Sequence, residues 1–297
     1  MKKNDKCSHF YRIFVLLIIA GFIFGGCATK EKEKEIEPEL KVWKKYALVI
    51  GNNNYGAYAK LKNSINDARD ISSVLEQFDY KVELCIDINL EEMELKIEEF
   101  AGYLSEQKDT QGFFYFAGMG ARIKGKNYMI PTAIKASNEE QLISGSYELS
   151  KLFEKLIEAG NDVNIVISDA CFSSVTQANQ RAAANKTQGT GSGKIISSEK
   201  INDDGLELLG QFSSDIFYFQ SALPGKDAFD GEGRNSPFTG ALLSNLSKPQ
   251  KLTDLVQEII NDTRTNSGGS QRPYFKANVF NFEDYIINQY GIPEKYN

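Results

Sequence analysis

Thiol and imidazole side chains are scarce in this sequence. It contains four cysteines, Cys7, Cys27, Cys85 and Cys171, and a single histidine, His9. Cys171 follows the apolar run "DVNIVISDA". Ligands of α/β folds bind at the carboxyl edge of the parallel strands, so a cysteine there is a candidate nucleophile. A free thiol ionises only near ~pH 8.5 and needs a neighbouring group to activate it. A second apolar run, "GFFYFAG", is followed by Met119 and Gly120, which places Met119 near Cys171 if the two strands are neighbours. A thioether is a weak acceptor and carries no proton. Cys85 lies in the strand-like "YKVELCID" and reads as a buried apolar side chain.

Alternating strands and helices must position these residues. "KYALVIG" reads as the first strand, followed by a helix with Ala68, Ile71, Leu75 and Phe78 on one face. A strand over Tyr80 to Asp87 leads to a helix carrying Met93, Ile97, Phe100 and Leu104. "GFFYFAG" is the third strand, expected to close in a glycine-flanked turn centred on Met119. A helix around Leu149 to Ile157 precedes the fourth strand, "DVNIVISDA", and "DIFYFQSA" is the fifth. Helices follow near Ser236 to Leu246 and Leu252 to Thr263, with "KANVF" a candidate edge strand. The near-continuous apolar runs imply strands covered on both faces. The expected fold is therefore one α/β domain over residues 43–290, a mainly parallel sheet of about six strands with helices on both faces. Residues 175–210 form a long polar loop.

With 41% apolar and 25% charged residues the chain is globular in composition, and a formal charge of −6 without a basic face argues against nucleic-acid binding. Residues 1–26 read as a processing segment: Lys2, Lys3, Lys6 and Arg12 precede the apolar Ile13 to Phe24, which is shorter than the ~20 residues of a spanning helix. The ending "FGGCA" resembles the lipobox of bacterial lipoproteins, which implies lipidation of Cys27 and removal of His9, leaving the mature chain without an imidazole. An uncleaved N-terminal anchor is the alternative. Either one places the domain outside the cytoplasm on a membrane, and Ala28 after the cysteine points to an outer membrane where the cell has one. Residues 27–42 are a charged tether. No cofactor or metal is implied, no compact acidic loop marks a calcium site, and the oligomeric state is not indicated.

Two glycine-rich stretches are decoys. "GARIKGKN" nearly matches a phosphate-binding loop, but Asn127 occupies the position of the required Ser or Thr, and "YMIP" continues as strand. "GTGSGK" lies within the polar loop and follows no strand.

The segments "ALVIGNNNY", "KNSINDARD", "FFYFAGMG", "GKNYMIP", "IVISDAC", "SALPGKDAFDGEGRNSPFTGALL" and "SQRP" occur in that order between Lys45 and Pro273. In order and spacing the chain resembles caspase-like peptidases, bacterial metacaspase-like members in particular. The resemblance implies that Cys171 is the nucleophile, that Met119 stands where the family has its catalytic His, and that the Gly120 N–H joins that of Cys171 in an oxyanion hole. It also implies that Asp67 and Asp169 confer a preference for Arg or Lys before the scissile bond, and that the polar loop, with Arg181, Lys186 and Lys194, is a linker cut on activation. As a residue, Asp67 reads equally well as a helix N-cap or first-turn acid. Asp169, at a strand end, has fewer structural reasons to be acidic.

A Cys-His peptidase uses its imidazole to form the thiolate and then to protonate the leaving amine. With Met119 in that place, one expectation is a membrane-tethered pseudopeptidase that binds polypeptide or a partner protein through the Cys171 groove. The second is a working cysteine endopeptidase that cleaves after Arg or Lys with a base other than His. A thiol-redox or purely structural role is the third.

Overall fold

Successive residues of β1, Lys44–Gly51, enter opposite cores: Ala47 and Val49 on one side, Leu48 and Ile50 on the other. This is why the strand sequence shows no polar alternation. The computed structural model describes residues 44–56, 60–106, 109–172, 215–248 and 250–278. Along the chain, β1 is followed by α1 (Ser64–Gln77), β2 (Lys81–Ile86), α2 (Leu90–Ser105), β3 (Thr110–Ile123), β4 (Lys126–Met129), α3 (Glu139–Ser144) and β5 (Tyr147–Glu148). Then come α4 (Leu149–Ala159), β6 (Val163–Cys171), β7 (Asp215–Gln220), α5 (Pro237–Leu246), α6 (Leu252–Asn266) and β8 (Tyr274–Asn278).

The main sheet has the order β2-β1-β3-β6-β7-β8. Its neighbours are parallel except for β8, which runs antiparallel to β7 at one edge. Helices α1, α5 and α6 pack on one face through Ile71, Leu75, Leu242, Leu255 and Ile259. Helices α2 and α4 cover the other through Met93, Ile97, Phe100, Phe153 and Leu156. Each such side chain contributes ~1.5–3 kcal/mol by leaving water. The expected α/β sheet with helices on both faces is thus present, and no helix among the described residues is long and apolar enough to cross a membrane. The segments 1–26 and 27–42, Cys27 and the 175–210 loop lie outside the described residues.

One expectation is corrected. Met119 is not at the centre of a turn: β3 continues unbroken through it to Ile123. The chain reverses at Lys124 and Gly125, both with positive φ, and returns as β4, antiparallel to β3. The glycines around Met119 serve close approach rather than turning. A Cβ on Gly118 would lie 2.4 Å from the Tyr55 hydroxyl oxygen, and one on Gly120 would lie 2.7 Å from the Phe172 ring. Beyond Gly120, Ala121 and Ile123 bury themselves with Tyr55, Tyr128 and Ile130 in a small third core, which holds the extension of β3 as strand. The same hairpin accounts for "GARIKGKN", which has the form of a β-turn.

Candidate functional site

The pairing of β3 with β6 sets Gly118 opposite Ala170 and Met119 opposite Cys171. The two strand ends that could carry chemistry are therefore adjacent, with methionine and cysteine in register. Met119 is fixed through its backbone. Its N–H donates to the Tyr55 hydroxyl at 2.7 Å, and its carbonyl accepts from Ile130 N–H at 3.0 Å. Its half-buried side chain packs against the small third core. Antiparallel ladders alternate bonded and non-bonded pairs, so the bond between Met119 and Ile130 leaves the Gly120–Met129 pair non-bonded and turns the Gly120 N–H towards the β6 side. That orientation suits the oxyanion-donor role implied for Gly120.

Cys171 is half-buried at the end of β6. Its thiol lies 3.5 Å from Asp227 Oδ1 and donates to it. Asp227 belongs to the loop between β7 and α5, at the same sheet edge, and was not anticipated from the sequence.

Beside the thiol is a small pocket of about 50 Å3 whose lining includes Asp67, Gly118, Asp169, Cys171, Asp230 and Ser236. The structure thus brings Asp67 and Asp169 together next to Cys171. Asp67 is in the first turn of α1, where Asn63 is the N-cap, and it also lines the pocket. Asp67 Oδ1 accepts from the Ser236 N–H at 3.0 Å. Asp169 Oδ2 accepts from the Ser236 hydroxyl and, at 2.7 Å, from the Thr239 hydroxyl. Thr239 Oγ1 accepts in turn from Tyr115 at 2.6 Å. Ser236 also caps α5, accepting from the Thr239 N–H at 2.9 Å, so the start of that helix and the acidic pocket are held by the same side chain.

Burial is the main influence on both carboxyls. It pushes Asp67 up to about 8, with the charge of Asp169 adding to the effect. It also raises Asp169, against the opposing hydrogen bonds from Ser236 and Thr239. Asp230 brings a third carboxylate to the pocket wall. It accepts from the backbone N–H groups of Lys62 at 2.6 Å and Asn63 at 3.1 Å, ahead of α1. Arg234 forms a two-pronged pair with Asp70 at 2.8 and 2.7 Å, tying the same loop to α1. Asp227 and Asp230 were legible only as members of the loop "SALPGKDAFDGEGRNSPF" after the fifth strand. Their place at the carboxyl edge was the signal available.

The arrangement offers a thiol, the Gly120 N–H and an acidic pocket sized for part of one side chain. An elongated cation ending in guanidinium or ammonium suits that pocket, because the opposite charge offsets the cost of the buried carboxylates. Among the described residues, no group of three or more His, Cys, Asp and Glu side chains is placed to hold a metal ion.

A family profile described as the caspase domain matches residues 44–282. The human mucosa-associated lymphoid tissue lymphoma translocation protein 1 is 33% identical over 128 residues, 43% of this chain. Its mouse homologue is 32% identical over 141 residues, 47% of this chain. The matches span 15% and 16% of the length of those relatives. Among solved structures, a protein of Geobacter sulfurreducens superposes with a TM-score of 0.52 at 19% identity, covering 79% of this chain and 93% of its own. Caspase-1 of Spodoptera frugiperda superposes with a TM-score of 0.51 at 14% identity, covering 79% and 86%. At these identities the two structures speak to the fold.

Proposed function

Because the chain belongs to the caspase-domain family, we propose that it is a catalytically impaired member that binds polypeptide, or a partner protein, through the groove beside Cys171, with Asp67, Asp169 and Asp230 receiving an Arg or Lys side chain. The observation that carries this reading is the register pair Met119–Cys171: the residue opposite the thiol is a thioether, and the sequence has no histidine beyond His9. General acid–base catalysis is worth ~10²–10⁴-fold, and loss of one member of a nucleophile–base unit disables the others. The binding apparatus is independent of that loss. The N-terminal sequence supports tethering to a membrane through Cys27, outside the cytoplasm.

The test is turnover of fluorogenic Arg and Lys peptides by the purified chain and its Cys171→Ala variant. Equal background rates are expected. Turnover that depends on Cys171 would refute impairment.

One observation favours a second reading. The Asp227 carboxylate accepts from the Cys171 thiol, in the position of a substitute base. Carboxylates are weaker bases than imidazole, which makes thiolate formation by this route uphill. Cleavage that is abolished by Asp227→Asn as well as by Cys171→Ala would establish it.

A further inference from the structure

Asp67 and Asp169 are 1% and 7% exposed, share one small pocket, and form no ion pair with a described lysine or arginine. Among the described residues, the Arg234 guanidinium feels the charge of Asp67, and it is held by Asp70. Of the described residues, Tyr115 from β3, Cys171 from β6 and Asp230 from the loop before α5 also face this pair, and Asp227 lies beyond, against the Cys171 thiol. None of them is a cation. Ser236 ties the two carboxyls together, its N–H on Asp67 and its hydroxyl on Asp169. Like charges in such a site cannot both ionise at ordinary cost, so the pair retains a proton while the pocket is empty.

Building on the reading of this pocket as a site for basic side chains, we propose that binding there is an exchange. The guanidinium or ammonium enters beside Asp67 and Asp169, and the one proton held by those two carboxyls leaves to solvent. The pocket thereby binds a monocation without a net change of charge. Affinity depends on pH through the protein alone, since an arginine ligand stays charged throughout.

The direction follows from linkage. With Asp67 at about 8 in the empty pocket, and lower once a cation is beside it, affinity rises with pH at up to ~tenfold per unit and levels off above about pH 8.

The experiment is isothermal calorimetry on the detergent-solubilised full chain carrying Cys171→Ala, which removes thiol titration. The ligand is an N-acetylated, C-amidated tetrapeptide with one arginine, and its control contains citrulline in the same place, a neutral isostere. Titrations run from about pH 6 to about pH 9 in pairs of buffers with different ionisation heats. The expected result is preference for arginine, release of about one proton near pH 6–7, and release falling towards zero above pH 8. Arginine preference with no proton released at any pH overturns the exchange while leaving the basic-side-chain site standing. No preference for arginine even at pH 9 overturns both. Asp67→Asn is expected to bind arginine without releasing a proton; release that persists in this variant assigns the proton elsewhere and refutes the proposal.

Discussion

Met119 and Cys171 are direct register partners on neighbouring parallel strands, the last pair of the β3–β6 ladder at the carboxyl edge of the main sheet. The methionine backbone is anchored at both its N–H and its carbonyl, so a different side chain at this position inherits the same placement. Met119→His is therefore expected to set an imidazole beside the thiol. Arg- or Lys-peptide cleavage should rise by ~10²–10⁴-fold over the parent, and the gain should vanish in Met119→His with Cys171→Ala. Initial rates with fluorogenic peptides measure this. No gain in a folded Met119→His protein would mean that the edge is no longer arranged for acyl transfer.

Gly120 is constrained by space. A methyl group there would meet the Phe172 ring at 2.7 Å, and Phe172 is fully buried. Gly120→Ala should destabilise the domain by ~1–3 kcal/mol. Urea denaturation followed by tyrosine fluorescence reads the loss, whereas Gly125→Ala tests a different cost, that of a positive φ at an open turn.

The acidic pair also makes stability depend on pH. A carboxyl whose value is raised in the folded state, as Asp67 is to about 8, holds a proton that the unfolded chain releases near ~4. Its favourable contribution is complete below ~pH 4, is lost progressively as pH rises, and is gone above about 8. Asp67→Asn should therefore be more stable than the parent at pH 9, by a few kcal/mol at most, with the difference shrinking towards pH 5. Melting temperatures across that range test the sign.

Cys27→Ser tests the tether. The full chain expressed in a bacterial host that processes lipoproteins should incorporate labelled palmitate and fractionate with membranes, and the variant should lose the label. Unchanged labelling would place the modification elsewhere.

By itself, the sequence determined the order of the main-sheet strands and of the five helices that cover them, because continuous apolar runs and three-and-four spacings reflect burial on sheet faces and helix stripes, whereas the short β4, α3 and β5 carry no such pattern. It also determined that Cys171 lies at a strand end and that the chain carries no histidine past His9. Pairing register was beyond its reach. Whether Met119 faces Cys171 is set by contacts between residues 52 apart in the chain, and the glycines that read as a turn proved to be places where Tyr55 and Phe172 come too close for a Cβ. Asp67, Asp169 and Asp230 belong to a helix, a strand and a loop distant in sequence. Only the packing of α1 against the loop before α5 brings them to one pocket, and only that enclosure keeps solvent from their charges and raises the affinity of Asp67 for its proton.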